Sequence, residues 1–293
     1  MPSLKEVRGR IISVNSTQQI TKAMKMVSAA KLRRAQESIT RFRPYAEKLN
    51  TILANLSASL DQSADNPYGE EREVKKALIV VITSDRGLAG PFNSNIAKAV
   101  NSLISSDFKN LPKENITLLC IGKKGYEYFS KRGINNIIGD YSTLFHNLSF
   151  GTARPAAELA MEGFLKGEYD RVDIVYNEFK NAATQIIRKE RLLPIEKKAE
   201  SATKTANVDY IFEPSKEEIL SELIPKSLKT QFYKALLESN ASEHGARMSA
   251  MDKATENAKE LLKELRLTYN RSRQAAITKE ILEIVGGAEA LAG

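Results

Sequence analysis

The sequence holds one cysteine, two histidines and no tryptophan. A single thiol cannot form an intrachain disulfide, so packing alone must hold the fold. Cys120 sits among Leu118, Leu119 and Ile121, which reads as a buried strand thiol rather than a reactive one. His146 and His244 lie far apart, and no Cys/His ligand spacing exists, so no metal site is expected. No apolar run approaches the roughly 18 residues that a bilayer span needs. The opening Met1-Pro2-Ser3-Leu4-Lys5-Glu6-Val7 has no apolar signal core, so neither an export signal nor a transit peptide is expected. Proline is missing between Pro2 and Pro44 and again after Pro225, leaving two long stretches that nothing breaks.

Catalytic chemistry is equally sparse. There is no Gly-x-Gly-x-x-Gly and no Gly-x4-Gly-Lys-Ser/Thr. The one glycine-bearing loop after a strand pattern is Ser84-Asp85-Arg86-Gly87-Leu88-Ala89-Gly90-Pro91. Its proline removes a backbone N–H where a phosphate would need donors. A tight turn is the expected reading, with Asp85 and Arg86 paired to one another or to loop backbone. No Ser/His/Asp set or carboxylate pair stands out. No catalytic residue, cofactor or metal is expected.

Charge is present but uneven. The net charge is +8, and residues 1–43 carry ten Lys or Arg against Glu6 and Glu37, so this segment accounts for all of it. An imbalance confined to one element calls for an acidic partner around it. Nucleic acid would satisfy the same charge.

Helical periodicity dominates both ends. Leu4, Val7, Ile11 and Val14 are followed by Ile20, Met24, Val27 and Ala30, then by Ala35, Ile39, Phe42, Tyr45, Leu49, Leu53, Leu56 and Leu60. The steps are mostly three or four. The polar run Ser16-Thr17-Gln18-Gln19 predicts that the stripe changes face there, and Pro44 predicts a kink or restart. Towards the C-terminus, Leu228, Phe232, Leu236, Met248, Met251, Ala254, Ala258, Leu261, Leu265 and Tyr269 keep the period, and Ile277, Ile281, Ile284, Ala288 and Leu291 continue it. Gly286-Gly287 should loosen the last turns. At 1.5 Å per residue the two rods would reach roughly 80 and 90 Å. Neither narrow stripe can be buried alone, so the two ends should pair as an antiparallel coiled coil. A compact helical bundle is the alternative, but no other long helices are available to complete one.

The middle reads differently. Residues 76–83 form an unbroken β-branched run, the mark of a strand buried on both faces. A helix over 92–104, a strand over 116–122, a helix over 123–131, a helix over 152–165 and a strand over 172–179 follow. Further strands are expected over 184–193 and 210–212, with a polar loop over 196–207. Alternating strands and helices imply βαβ units. The fold class is therefore α/β: a long antiparallel coiled coil of the N- and C-terminal helices plus a central Rossmann-like α/β domain with a mostly parallel sheet. The expected divisions are 1–60, 75–214 and 215–293.

Four blocks carry a family resemblance: Ile20-Thr21-Lys22-Ala23-Met24-Lys25-Met26-Val27-Ser28-Ala29-Ala30-Lys31; the loop from Ser84 continued through Phe92-Asn93; Glu238-Ser239-Asn240-Ala241-Ser242-Glu243-His244 with Arg247, Met248 and Met251; and Tyr269-Asn270-Arg271-Ser272-Arg273-Gln274-Ala275-Ala276-Ile277-Thr278 with Glu280, then Ile284-Val285-Gly286-Gly287-Ala288. In that order they resemble the gamma subunit of F-type ATP synthases, bacterial type, over essentially the full length. The resemblance implies a central-stalk rotor at the cytoplasmic face of the bacterial inner membrane, peripheral to it. Its partners would be three alpha and three beta subunits, epsilon and the c-subunit ring. It would couple proton flow through the ring to ATP synthesis and hydrolysis on beta, regulating ATPase activity without a catalytic site of its own. It also implies that Met24 and Lys25 meet the beta lever, and that Arg273, Gln274 and Thr278 meet a collar of beta loops. Ile281, Ile284, Val285 and Leu291 would turn in an apolar sleeve. Tyr210, Phe212 and Glu213 would lie in a foot near the c ring and epsilon. Chloroplast relatives carry an inserted cysteine pair for redox control. None is present here, and Ala89 stands where many relatives have Cys.

Two readings from other classes compete. One is a coiled-coil nucleic-acid-binding protein, although residues 1–41 contain no aromatic side chain to stack on bases. The other is a dinucleotide-dependent enzyme. The absence of a phosphate cradle predicts that the purified chain alone neither binds nor hydrolyses ATP. Stoichiometric ATP binding at micromolar concentration in equilibrium dialysis would contradict this.

Overall fold

A computed structural model describes residues 3–58, 66–134, 136–195 and 216–292. The expected strand over 210–212, the loop over 196–207, and Leu60 lie outside the described residues. The chain forms two compact units. One comprises Met1–Ala29 with Arg247–Gly293, the other Ala30–Ala246. Helix α1 (Leu4–Ala58) and helix α5 (Lys216–Ala292) contribute to both.

The larger unit contains β1 (Ala77–Ile82), α2 (Phe92–Ser106), β2 (Ile116–Ile121), α3 (Lys123–Ser130), β3 (Ile137–Ile138), α4 (Phe150–Leu165), β4 (Arg171–Phe179) and β5 (Gln185–Leu193). The strands form one sheet in the order β3-β2-β1-β4-β5. Strands β3, β2, β1 and β4 run parallel, and β5 is antiparallel to β4. The α/β class and the mostly parallel sheet expected from the pattern are both present. Strand β3 is too short to give a periodic signal.

The continuous apolar run of β1 is explained by two cores. Leu78, Val80 and Ile82 face a cluster with Ala157 and Phe164 of α4 and Phe232 and Leu236 of α5. Ala77, Ile79 and Val81 face the other side, against Ile96 and Val100 of α2 and Phe129 of α3. Strand alternation sends successive side chains to opposite faces, so covering both faces makes every position apolar. Cys120 is buried in the second core, and burial pushes its thiol up to about 12. Helix α4 opens on a reciprocal cap: the Ser149 hydroxyl accepts from the Thr152 N–H at 3.2 Å, and Ser149 N–H donates to the Thr152 hydroxyl at 2.9 Å. Both orphan donors are thereby satisfied.

Within this unit α5 is shielded along nearly its whole girth between residues 228 and 246. One side joins the sheet core through Leu228, Phe232, Ala235 and Leu236. Another meets α1: Phe42 and Tyr233 pack edge to face with ring centroids 5.1 Å apart. Arg43 donates to Glu238 at 3.0 Å, and the second Glu238 oxygen accepts from the Phe179 N–H at 3.1 Å. Glu238 is 1% exposed, so these bonds replace the water that a buried carboxylate would otherwise lack.

The helices neither restart at Pro44 nor break at Gly286-Gly287. Helix α1 continues through Pro44, whose ring lies on the exposed side. Helix α5 continues through Gly286 and Gly287 to Ala292. By contrast Gly122 is structurally required. Its φ is +97°, and a Cβ would sit 2.1 Å from the Thr83 carbonyl oxygen. Gly122→Ala is therefore predicted to cost about 3 kcal/mol or more. Gly287→Ala, which meets nothing within 4 Å, should stabilise the helix by roughly 0.5–1 kcal/mol. Urea unfolding of the two variants, followed by circular dichroism, gives both signs.

Candidate functional site: the helix pair and its projecting end

In the smaller unit α1 and α5 run antiparallel. Lys25 pairs with Asp252, and the Thr255 and Thr21 hydroxyls lie 2.8 Å apart. The shielded positions of α1 include two heptad lines, 7, 14, 21 and 28 on one and 4, 11, 18 and 25 on the next, with 24 and 29 half-buried beside them. On α5 positions 248, 251, 255, 258, 262, 265, 269, 272 and 276 are shielded, in alternating steps of three and four, with 249, 250 and 254 half-buried beside them. This is the seam of a coiled coil.

The seam corrects the stripe read from the sequence. Ile20 and Val27, expected inward, are 60% and 57% exposed, while Thr21 and Ser28 are buried. Leu262 is buried where Leu261 was expected, and Leu261 is 44% exposed. The stripe does not change face at Ser16-Thr17-Gln18-Gln19. Val7 and Val14 before the polar run and Leu32 after it share one heptad line or its neighbour, and a helix cannot switch face without local unwinding. Ile12, Ile20, Met26 and Val27 consequently point away from α5, each more than half exposed. Fully burying one such side chain is worth about 1.5–3 kcal/mol. A cluster left outward on a helix that also carries Lys5, Arg8, Arg10 and Lys22, all exposed, has the composition of a contact surface.

The partner helix runs out before α5 does. In the observed register Leu4 falls near Ser272, and Ala276 is the last shielded residue of α5 among those whose side chains are described. Residues 277–292 project beyond, about 24 Å at helical rise. Ile277, Ile281, Leu282, Ile284 and Val285 on this segment are exposed, and no second helix covers them among the described residues.

Of the residues singled out by sequence, Met24 is half-buried beside the seam, and Lys25 reaches across it to Asp252. Arg273 and Gln274 are exposed where α1 ends. Thr278 is exposed and its hydroxyl donates to the Gln274 carbonyl at 2.9 Å. Ile281, Ile284 and Val285 share the projecting segment. The side chain of Leu291, and Tyr210, Phe212 and Glu213, lie outside the described residues. Sequence reading missed the outward face of α1, although the clash between Ile20 and a heptad drawn through Val7 and Val14 was a signal for it.

The glycine-bearing loop after β1 lies where the strand order reverses, the usual ligand crevice of an open α/β sheet. Here the crevice is filled. Ala89 and Phe92 pack on Ala246 of α5, and Asn93 accepts from the Ser84 N–H at 3.0 Å. Asp85 accepts from the Lys123 N–H at 3.3 Å and faces His146 at 3.5 Å. These two contacts tie the loop to the segments that open α3 and precede α4. Among the described residues no group of His, Cys, Asp and Glu could hold a metal, and no helix is long and apolar enough to cross a membrane.

The comparisons with known proteins agree with one another. A family model described as ATP synthase matches residues 3–291. The gamma chain of the ATP synthase of Cytophaga hutchinsonii is 70% identical over 294 residues, covering 99% of each chain. That of Flavobacterium psychrophilum is 55% identical over 293 residues, covering all of both. Among solved structures, the central stalk and c ring of the Tetrahymena thermophila mitochondrial ATP synthase gives a TM-score of 0.56 at 27% identity, over 80% of this chain and 99% of that one. The Euglena gracilis mitochondrial OSCP/F1/c-ring assembly gives 0.65 at 22% identity, over 98% and 94%. With a family model and relatives that match from end to end, the chain belongs to the gamma-chain family of ATP synthases.

Proposed function

We propose that this gamma chain is the central-stalk rotor of an F-type ATP synthase, a shaft that couples ion flow through a membrane ring to nucleotide chemistry on surrounding subunits. The observation that carries the reading is the projecting end of α5, apolar and exposed, with no partner among the described residues. Apolar contact is non-directional, so a tip of this kind can turn in an apolar sleeve without breaking specific bonds. The relatives' names support the same reading, and nothing in them supports binding of nucleic acid.

The parts divide the work accordingly. The outward basic and apolar face of α1, with Met24 beside it, meets the beta lever at the level of the Lys25–Asp252 pair. Arg273, Gln274 and Thr278 offer directional polar groups to the beta collar about 30 Å further along α5. Ile281, Ile284, Val285 and Leu291 occupy the sleeve. Residues 75–214 serve as the foot, with Tyr210, Phe212 and Glu213 towards the c ring and epsilon, and residues 1–60 and 215–293 as the shaft. Three alpha and three beta subunits surround that shaft. The chain supplies no catalytic group: the crevice after β1 is filled by Ala89, Phe92 and Ala246. It works peripherally at the cytoplasmic face of the bacterial inner membrane, held there through the ring. Screened surface charges, each pair worth at most about 1 kcal/mol, suit a bearing that must release at every angle.

Capture of the tagged chain from native membranes should bring alpha, beta, epsilon and c subunits with it. Recovery of nucleic acid, or of no ATP synthase subunit, would overturn the proposal. Replacing Ile281, Ile284 and Val285 together by Asn should lower retention of alpha and beta in the purified complex. The melting temperature of the chain alone should change by less than about 2 °C, because all three side chains are exposed in it. A large loss of stability in the isolated chain would mean that they serve its own fold. Replacing Arg273 and Gln274 together by Ala should slow ATP hydrolysis at least severalfold while the complex stays assembled. Unchanged turnover would place the collar elsewhere.

A further inference from the structure

Between residues 18 and 28, α1 carries two faces that could meet α5, one residue apart and so about 100° apart around the helix. One consists of Gln18, Thr21, Lys25 and Ser28, the other of Thr17, Ile20, Met24 and Val27. Burial of apolar surface favours the second face. The opposing positions of α5, Met248, Met251, Thr255 and Ala258, are mostly apolar and would accept it. The structure nevertheless seats the first face: Thr21 and Ser28 are buried while Ile20 and Val27 stand out.

We propose that the cross-helix contacts Lys25–Asp252 and Thr21–Thr255 select this face and thereby hold Ile20 and Val27 outward. Both contacts are directional and both join the same stretch of the two helices. The Lys25 ammonium meets the Asp252 carboxylate, and the Thr255 and Thr21 hydroxyls lie 2.8 Å apart, each also within hydrogen-bond distance of a carbonyl of its own helix, Met251 at 2.7 Å and Gln18 at 3.0 Å. Rolling α1 by one residue would separate the ions and pull the two hydroxyls apart. Polar groups at seam positions are known to select one packing arrangement at a cost in stability. The ion pair is half exposed, so its contribution to overall stability is small. What it changes is the difference between two arrangements of similar packing. Lys25 and Asp252 are on this view positioning residues, acting through the azimuth of α1 on the surface that it displays.

The test uses the purified full-length chain, so it stands apart from the rotor reading. Val27→Cys and Ser28→Cys are made separately and labelled with a maleimide. Cys120 adds little background, being buried with its thiol pushed up to about 12. With the lock intact, the cysteine at 27 should label quickly and that at 28 slowly. In a Asp252→Ala, Thr255→Ala background, which leaves Lys25 without its carboxylate, labelling at 28 should rise on the order of tenfold and labelling at 27 should fall. Adding Lys25→Met to that background replaces the one charged group of the first face by an apolar one and should move both rates back towards the intact pattern. Unchanged rates in the alanine background would overturn the proposal. So would a rise at both positions, which means that the helices part rather than roll, or a failure of Lys25→Met to move the rates back.

Discussion

A long amphipathic helix with a narrow apolar stripe cannot bury that stripe by itself, and the rest of this structure depends on how the constraint is met. In each of its two units a segment of α1 lies against a segment of α5. In the larger unit the pairing is helped by the sheet, which covers a second side of α5 through Leu228, Phe232 and Leu236. In the smaller unit there is only the pair. Its burial is concentrated along one seam, and among the described residues most of the remaining surface of both helices is exposed. That leaves a surface available to partners, which suits a chain whose family works inside an assembly.

The choice of seam residues follows from this division. Large apolar side chains fill α1 where it meets the larger unit, at Leu32, Ile39 and Leu49. Between residues 18 and 28 the seam instead uses Thr, Lys and Ser, joined by polar contacts to α5. Apolar residues are displaced to the outside, where they forgo burial in the isolated chain. A sequence selected only for the stability of the chain would place Ile20 and Val27 inward. The projecting end of α5 departs from self-sufficiency in the same direction.

The α/β unit shows the opposite economy. Its sheet is covered on both faces, its switch-point crevice is filled, and Asp85 is held by Lys123 and His146. The βα loop that in other open sheets cradles a ligand is here a structural joint. A familiar fold does not by itself bring a familiar chemistry, since function resides in sites and not in architectures.

Much of this was legible in the residues. The β-branched run of β1, the helix periods at both ends and the absence of breaking prolines determined the element types, their order and the α/β class. These are local properties, set by side-chain shape and by periods of two and 3.6. The four family blocks identified the relatives. The residues alone did not determine which side of α1 turns inward between 18 and 28, because two faces one residue apart both follow a helical period and the more apolar one is outside. Nor did they determine where α5 loses its cover, since that depends on the register against α1, or that Pro44 leaves the helix unbroken. Those features were decided by the tertiary structure. Burial depends on what stands opposite a side chain, and in this chain the opposite residue lies more than 200 positions away, as Asp252 does from Lys25.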